Sequence, residues 1–228
     1  IKPILRGRDI KRYYYEWAGL WVIVIPAGWT NENKKNEDPE IFIKKNFPSL
    51  MNYLIPFEDK AKKRDDQGDY WWELRACAYY PEFEKEKVVW QRITQEPTFC
   101  LVKSGVLILD SMAFFTGKKL KFIMALLNSR LIYQYVNMIV HQYGFTGYRL
   151  SNQYVEIIPL PPITEENQHI VNQIESLVDK ILASKKQNLQ ADTTKLEEEI
   201  DQLVYQLYDL TEDEIKIIEK DNKKECNL

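Results

Sequence analysis

Apolar residues recur at steps of three and four along the stretch from Lys118 to Tyr143. This spacing is typical of a helix that buries one face, and the wide apolar stripe predicts a position inside the fold. Asn128 and Ser129 interrupt the stripe, and both side chains can bond the backbone and cap a new turn. We therefore expect two helices end to end, or one kinked helix, at the core of the chain.

Shorter patterns lie on both sides of these helices. Runs of β-branched and aromatic residues, or alternating runs, are bounded by turn residues and predict strands. The predicted strands cover residues 20–26, 72–78, 87–93, 98–102, 106–109, 112–115 and 155–159. Asp38 before Pro39 is typical of a helix start, so short helices are predicted at 40–46 and, after Pro48, at 49–54.

The last part of the chain has a helical repeat of apolar positions. Apolar residues recur every three or four positions in two blocks, 170–182 and 196–207, with a polar link between them. This pattern predicts an antiparallel helical hairpin. Thr211 and Glu214 have the spacing of a capping box for a last short helix.

Together these patterns predict an α+β fold, in which a mixed or antiparallel sheet with packed helices is followed by a C-terminal α-helical hairpin arm. Pro161 and Pro162 mark the boundary, with one domain over 1–162 and a tail over 163–228. The first part carries 23 lysines and arginines against 18 acidic residues, a net charge of +5, and the tail carries 8 against 16, a net charge of −8. The basic first part suits a phosphate-bearing partner.

Basic and aromatic residues are interleaved near the start of the chain, as on surfaces that bind nucleic acids. Cations can meet phosphates, and aromatic rings can stack on bases. An ordinary basic loop that leads into a strand has the same composition. The candidate phosphate contacts are Arg6, Arg8, Lys11, Arg12 and, further along, Arg64.

Large polar and aromatic side chains also collect at three predicted turns or strands. Arginine can bridge guanine O6 and N7, and glutamine can bridge adenine N6 and N7. The tryptophans could equally pack in the core, and the glycine-rich loop at 144–147 could be a simple connector. The candidate base-reading residues are Gln67, Trp71, Arg75, Gln91, Arg92, Thr94, Phe145, Tyr148 and Arg149.

Sequence motifs for catalysis and metal binding are absent, with no glycine-rich phosphate loop, zinc-ligand spacing or nucleophile elbow. We expect no catalysis, cofactor or metal in this chain. Asp38, Glu58 and Lys60 leave open a magnesium-dependent nuclease, and the tail leaves open a protein-interaction scaffold. The three cysteines suit a reducing cytoplasm, and no apolar run predicts a membrane span. The chain starts without Met, so we expect it to be a fragment of a longer protein.

Five short motifs occur in a characteristic order. They are IKPILRGRDI at 1–10, WWELR at 71–75, KVVW at 87–90, LLNS at 126–129 and IPLP at 158–161. In this order the chain resembles the TaqI-like C-terminal specificity domain of adenine-specific DNA methyltransferases and type IIG restriction-modification enzymes. The resemblance covers residues 1–162, and the tail, with LYDLT at 207–211, looks like the helical arm that follows such domains.

The resemblance implies a target recognition domain that grips double-stranded DNA opposite a methyltransferase domain and reads base edges in the major groove. Base-reading residues vary most within the family, so none is carried over to this chain. The resemblance also implies a methyltransferase domain in the same polypeptide, with or without a nuclease domain. S-adenosylmethionine and Mg²⁺ would belong to those domains, before Ile1.

Overall fold

The computed structural model describes residues 1–140, 142–143 and 147–225, with the backbone alone for 142–143 and 221–225. The described chain forms two compact units. The first contains residues 1–3 and 21–82, and the second contains residues 4–20 and those from 83 onward. Each unit is built from elements that can be traced to the sequence.

The first unit is mostly helical. The opening residues of β1 (Lys2–Leu5) pair antiparallel with β2 (Trp21–Val22). The helices are α1 (Trp29–Asn33), α2 (Pro39–Asn46), α3 (Pro48–Leu54) and α4 (Glu58–Ala61), with a 3-10 turn at Ile55–Phe57. The two predicted helices at 40–46 and 49–54 are confirmed, and the Asp38 side chain caps α2 by accepting from the Glu40 and Ile41 amides.

The predicted buried strand at 20–26 is wrong in length and in burial. Only Trp21 and Val22 are in a strand, and Trp21 is 59% exposed. The core of this unit instead consists of Ile25 with helix residues Ile43 and Met51 and with Trp72. The helices therefore supply the apolar contacts that the predicted strand was expected to make.

The segment at 72–78 folds as turns and irregular backbone, not as the predicted strand. The reason is Glu73, which is fully buried. Its carboxylate accepts hydrogen bonds from the backbone amides of Gly28 (3.1 Å), Thr30 (2.8 Å) and Asp69 (2.9 Å). Since one side chain ties three loop amides together, it fixes the loops of this unit without a sheet ladder.

The second unit contains the main sheet. The strands of this unit include β3 (Lys87–Gln91), β4 (Ile93–Thr94), β5 (Phe99–Val102), β6 (Leu107–Ile108) and β7 (Met112–Phe115), close to the predicted positions. The main sheet consists of β5, β3 and β7. β3 is the central strand and pairs antiparallel with β5 and β7. Ile4 and Leu5 of β1 pair in parallel with β6. Mixed pairing in short strands confirms the predicted α+β class.

Lys87 opens the central strand and is fully buried. Its ammonium donates to the carbonyl oxygens of Phe83 (3.0 Å) and Lys103 (3.1 Å). Burial lowers the pKa of this ammonium to about 8. The KVVW motif thus begins with a buried polar anchor and continues as core.

The two end-to-end helices are confirmed as α5 (Leu120–Leu127) and α6 (Arg130–Ile139). Asn128 lies between them and is buried. Its side-chain oxygen accepts from the Phe99 amide (3.0 Å), and its NH₂ group donates to the Phe99 carbonyl (2.8 Å). Ser129 caps α6 by accepting from the Ile132 amide. The LLNS motif thus joins the helix pair to β5.

The tail forms the predicted hairpin from α8 (Gln168–Gln187) and α9 (Thr194–Leu207), followed by α10 (Glu212–Glu225). Its apolar face is buried against α5 in the main hydrophobic core of the unit. Buried Asp201 on α9 accepts from the Arg130 amide at 2.9 Å and pairs with the Arg130 guanidinium at 3.2 Å. Burial raises the pKa of Asp201 to about 6. The domain boundary at Pro162 remains a prediction.

A second, smaller sheet lies beside the core. β9 (Gly147–Arg149) pairs antiparallel with both β4 and β8 (Gln142–Tyr143). A short helix, α7 (Asn152–Glu156), follows it, so the strand predicted at 155–159 is wrong. Among the described helices, none combines the length and apolarity that a bilayer crossing requires.

Candidate nucleic-acid interface

A cleft of about 500 Å³ opens in the second unit where β3 and β9 end and where β4 and α7 begin. It brings the neighbouring candidate base readers Gln91 and Arg92 together with Arg149, a candidate that is far from them in sequence. The other side chains that line it are Ile93, Asp110, Ser111, Ser151, Asn152 and Gln153.

Backbone pairing and one buried indole hold the walls of the cleft. Ile93 pairs with Arg149 in the β4–β9 ladder. The buried indole N–H of Trp90 donates to the Leu150 carbonyl at 3.0 Å, which ties β3 to the end of β9. The cleft residues therefore project from a fixed frame rather than from a free loop.

The charged groups of the cleft are exposed and loosely paired. Arg149 is exposed and has no ion pair or side-chain hydrogen bond among the described residues. Arg92 is 43% exposed and lies 3.6 Å from the Asp110 carboxylate, which is 97% exposed. Such exposed pairs are weak. Guanidinium donors, amides and one carboxylate are the groups that recognise base edges.

A basic turn lies against this cleft. Residues Gly7–Asp9 form a 3-10 turn, and a Cβ added at Gly7 would come within 2.8 Å of the Gln91 side-chain oxygen. Arg8 is exposed in this turn, and neither Arg8 nor the following Lys11 has a side-chain partner among the described residues. Both cations are therefore available to an anionic ligand.

Arg6 belongs to the same turn but is already paired. Its guanidinium donates to both Asp9 carboxylate oxygens, at 3.1 and 2.7 Å, and its amide donates to the same group at 2.8 Å. These contacts lower the pKa of Asp9, chiefly through the Arg6 side-chain hydrogen bonds, and raise that of Arg6. Arg6 shapes the turn that presents Arg8.

The contact between Gly7 and Gln91 gives a test of this geometry. Gly7→Ala should push the Gln91 side chain aside and cost about 1 kcal/mol of unfolding free energy, because only the flexible end of one side chain must move. Urea unfolding of both single variants and the double variant with Gln91→Ala measures the coupling. An equal cost of Gly7→Ala in both backgrounds would contradict this contact.

Three other candidate residues are occupied by internal partners. The Arg12 guanidinium donates to the Asn128 carbonyl (2.6 Å) and lies 2.9 Å from the Glu197 carboxylate. The Arg64 guanidinium donates to three backbone carbonyls, those of Ala61 (3.1 Å), Trp71 (2.7 Å) and Glu73 (3.0 Å). Gln67 donates to the Lys62 and Arg64 carbonyls. These contacts favour structural roles for all three.

The other described candidates do not line the cleft. In the first unit, Trp71 is half-buried and packs edge-on against Trp72, while Arg75 is exposed and 3.6 Å from Asp66. In the second unit, Thr94 donates to the Glu96 carbonyl, and Tyr148 packs on the main core. Phe145 lies outside the described residues.

The residues of the nuclease hypothesis lie in helical segments. Asp38 caps α2, and Glu58 pairs with Lys62 at 2.6 Å one turn along α4, next to Lys60. Within the part of the chain that the structure describes, no three His, Cys, Asp or Glu side chains come together as metal ligands. The positions of Asp38, Glu58 and Lys60 therefore add no support to the nuclease hypothesis.

A family model described as the TaqI-like C-terminal specificity domain matches residues 2–160, more than half of the chain. The chain belongs to this family. No curated protein matches it. As a TaqI-like specificity domain, the chain serves DNA sequence recognition in a methyltransferase-related protein.

The specificity domain also has cleft residues that sequence reasoning missed. Asp110 and Ser111 form the turn between β6 and β7, and Asn152 and Gln153 are exposed in the first turn of α7. A polar pair between two predicted strands was a visible signal for Asp110 and Ser111. The prediction of a strand at 155–159 hid the helix that presents Asn152 and Gln153.

Proposed function

We propose that the cleft is the base-reading surface of a double-stranded DNA recognition module. Gln91, Arg92 and Arg149 would contact base edges in the major groove, where each base pair presents a distinct pattern of donors and acceptors. Arg8 and Lys11 would contact phosphates beside them and fix the position of the domain on the duplex.

The observation that carries this proposal is the convergence of Gln91, Arg92 and Arg149 in one cleft. Arg149 is exposed there without an internal partner among the described residues, so its donors are free for a ligand. The neighbouring turn adds Arg8, and Lys11 follows it; neither side chain has a hydrogen bond or ion pair among the described residues. Family membership indicates that the ligand is DNA, and the geometry supports the cleft as its binding site.

The parent protein would be a type IIG restriction enzyme or an adenine-N6 DNA methyltransferase of the cytoplasm. The specificity domain would position DNA for methyltransferase or nuclease domains of the same polypeptide. S-adenosylmethionine and Mg²⁺ would be bound by those domains. The scaffold hypothesis has less support, because the apolar face of the tail hairpin is buried within the chain itself.

Removing the two cleft arginines should abolish site preference. In Arg92→Ala/Arg149→Ala, we expect affinity for the preferred duplex to fall by about 2–6 kcal/mol, since each good base contact is worth about 1–3 kcal/mol. Selection of bound sequences from a randomised duplex pool would identify the site, and titrations across a salt series would give the affinities. The matched control is Lys180→Ala/Lys186→Ala, which removes two exposed charges from α8.

Phosphate contacts should behave differently. Arg8→Ala/Lys11→Ala should weaken binding to all sequences alike and reduce the slope of log affinity against log salt by about 2, since each lost phosphate contact changes it by about 0.9. If the wild type binds no duplex at low salt, or if the cleft variant selects the wild-type site with unchanged affinity, the proposal is wrong.

A further inference from the structure

One acidic side chain lies in the otherwise cationic cleft. The Asp110 carboxylate is 97% exposed, and its ion-pair partner among the described residues is the Arg92 guanidinium, at 3.6 Å. The backbone places this pair side by side, because the Arg92 amide donates to the Ser111 carbonyl at 3.0 Å. Asp110 is therefore held next to Arg92 by the main chain and not by the ion pair.

A carboxylate at this position lowers the affinity for DNA of any sequence. Its charge repels phosphates, and so it weakens contacts that do not depend on sequence. An exposed ion pair contributes little to stability, so the fold gives no reason for Asp110. A carboxylate can contribute to DNA binding by accepting a hydrogen bond from a base amino group, and cytosine N4 is the usual one.

The arrangement of the pair matches one base pair. In a G·C pair, cytosine N4 donates to guanine O6, so these two major-groove atoms are about 2.9 Å apart. A carboxylate that accepts from N4 and a guanidinium that donates to O6 must then lie beside each other. Arg92 and Asp110 already lie beside each other, 3.6 Å apart, at the mouth of one cleft.

We propose that Asp110 is a specificity-determining residue that reads cytosine N4 in a G·C pair, while Arg92 reads the guanine. This inference rests on the proposed DNA-recognition function and extends it. Asp110 has two effects. It accepts a hydrogen bond from one base pair, and its charge repels phosphate groups that approach the cleft. Specificity built from an attraction and a repulsion is stronger than either alone.

The test compares sequences selected from a randomised duplex pool by the wild type, Asp110→Ala and Asp110→Asn. Glu165→Gln, which removes an exposed charge outside the cleft lining, is the matched control. We expect Asp110→Ala to lose the preference for G·C at one position by about tenfold. We expect both Asp110 variants to bind mixed-sequence duplex several-fold more tightly than the wild type. Thermal melts would verify that folding is unchanged.

The outcomes separate the two proposals. If the wild type selects a site and Asp110→Ala selects the same site with unchanged preference at every position, Asp110 is not a reader, although the domain still recognises DNA. Loss of preference at an A·T position would overturn the assignment to cytosine. If the wild type selects no site, the proposed function fails and the inference fails with it.

Discussion

Glu73→Ala should destabilise the first unit by about 3–5 kcal/mol. The substitution removes an acceptor from three backbone amides, and hydrogen bonds to a charged group contribute about 1.5–3 kcal/mol each before the loops relax toward water. Urea unfolding followed by tryptophan fluorescence suits this measurement, because Trp21, Trp29, Trp71 and Trp72 belong to this unit. Hydrogen exchange should accelerate at Gly28, Thr30 and Asp69, whose amides lose their acceptor.

The matched control is Glu32→Ala, an exposed glutamate on α1 without a side-chain partner among the described residues. It should change the unfolding free energy by less than about 0.5 kcal/mol. Glu73→Gln keeps the shape but replaces one acceptor oxygen with an NH₂ group, so it should be intermediate. If Glu73→Ala unfolds at the wild-type urea concentration, the three-amide arrangement does not stabilise the unit.

Asn128→Asp should cost the second unit about 3 kcal/mol or more at pH 8. The new carboxylate would be buried and would point an oxygen at the Phe99 carbonyl, which now accepts from the Asn128 NH₂ group. Burial raises the pKa of the introduced carboxyl above its unfolded value. Stability is therefore retained at low pH, where the protonated acid can donate, and is lost as pH rises through the folded pKa.

Two comparisons identify the cause. Asn128→Ala lacks both hydrogen bonds at every pH, so its cost should be nearly independent of pH between 5 and 8. Asn172→Asp changes an exposed residue that retains its acceptor oxygen for Gln168, and it should have little effect. Urea unfolding at both pH values provides the measurement. A cost for Asn128→Asp that does not fall at pH 5 would contradict this account.

Much of the second unit could be predicted because its patterns are strong. The helix pair at 118–143, its break at Asn128 and Ser129, and the tail hairpin all follow from apolar periodicity and capping residues. The strands at 20–26 and 72–78 could not be predicted correctly. Residues 20–26 are β-branched and aromatic and residues 72–78 alternate as in a strand, but helix packing and a buried carboxylate determined the conformation.

The site was harder to predict than the fold. Arg12 and Arg64 have the same composition around them as Arg8, yet their guanidinium groups bond carbonyls that are distant in sequence or across a turn. Composition cannot distinguish a free cation from one with an internal partner. Gln91, Arg92 and Arg149 were among nine candidates on three separate loops, and their convergence depends on β4–β9 pairing over more than fifty residues.

The motifs behind the family resemblance have a common structural basis. WWELR, KVVW and LLNS contribute the buried polar side chains of Glu73, Lys87 and Asn128, and each of these bonds backbone groups in loops or strands. These contacts build the frame and do not touch the cleft. The motifs therefore reflect the buried contacts that hold the fold together. For this reason they identified the family but not the residues that would contact bases.

The tie between Trp90 and Leu150 also has an evolutionary consequence. Because this buried bond joins β3 to β9 just behind the cleft, the residues in front of it can be exchanged without loosening the core. Under the proposed function, a lineage could acquire a new recognition sequence through a few surface substitutions at 91–92, 110–111 and 149–153. The same fold would then support domains that recognise many different DNA sequences.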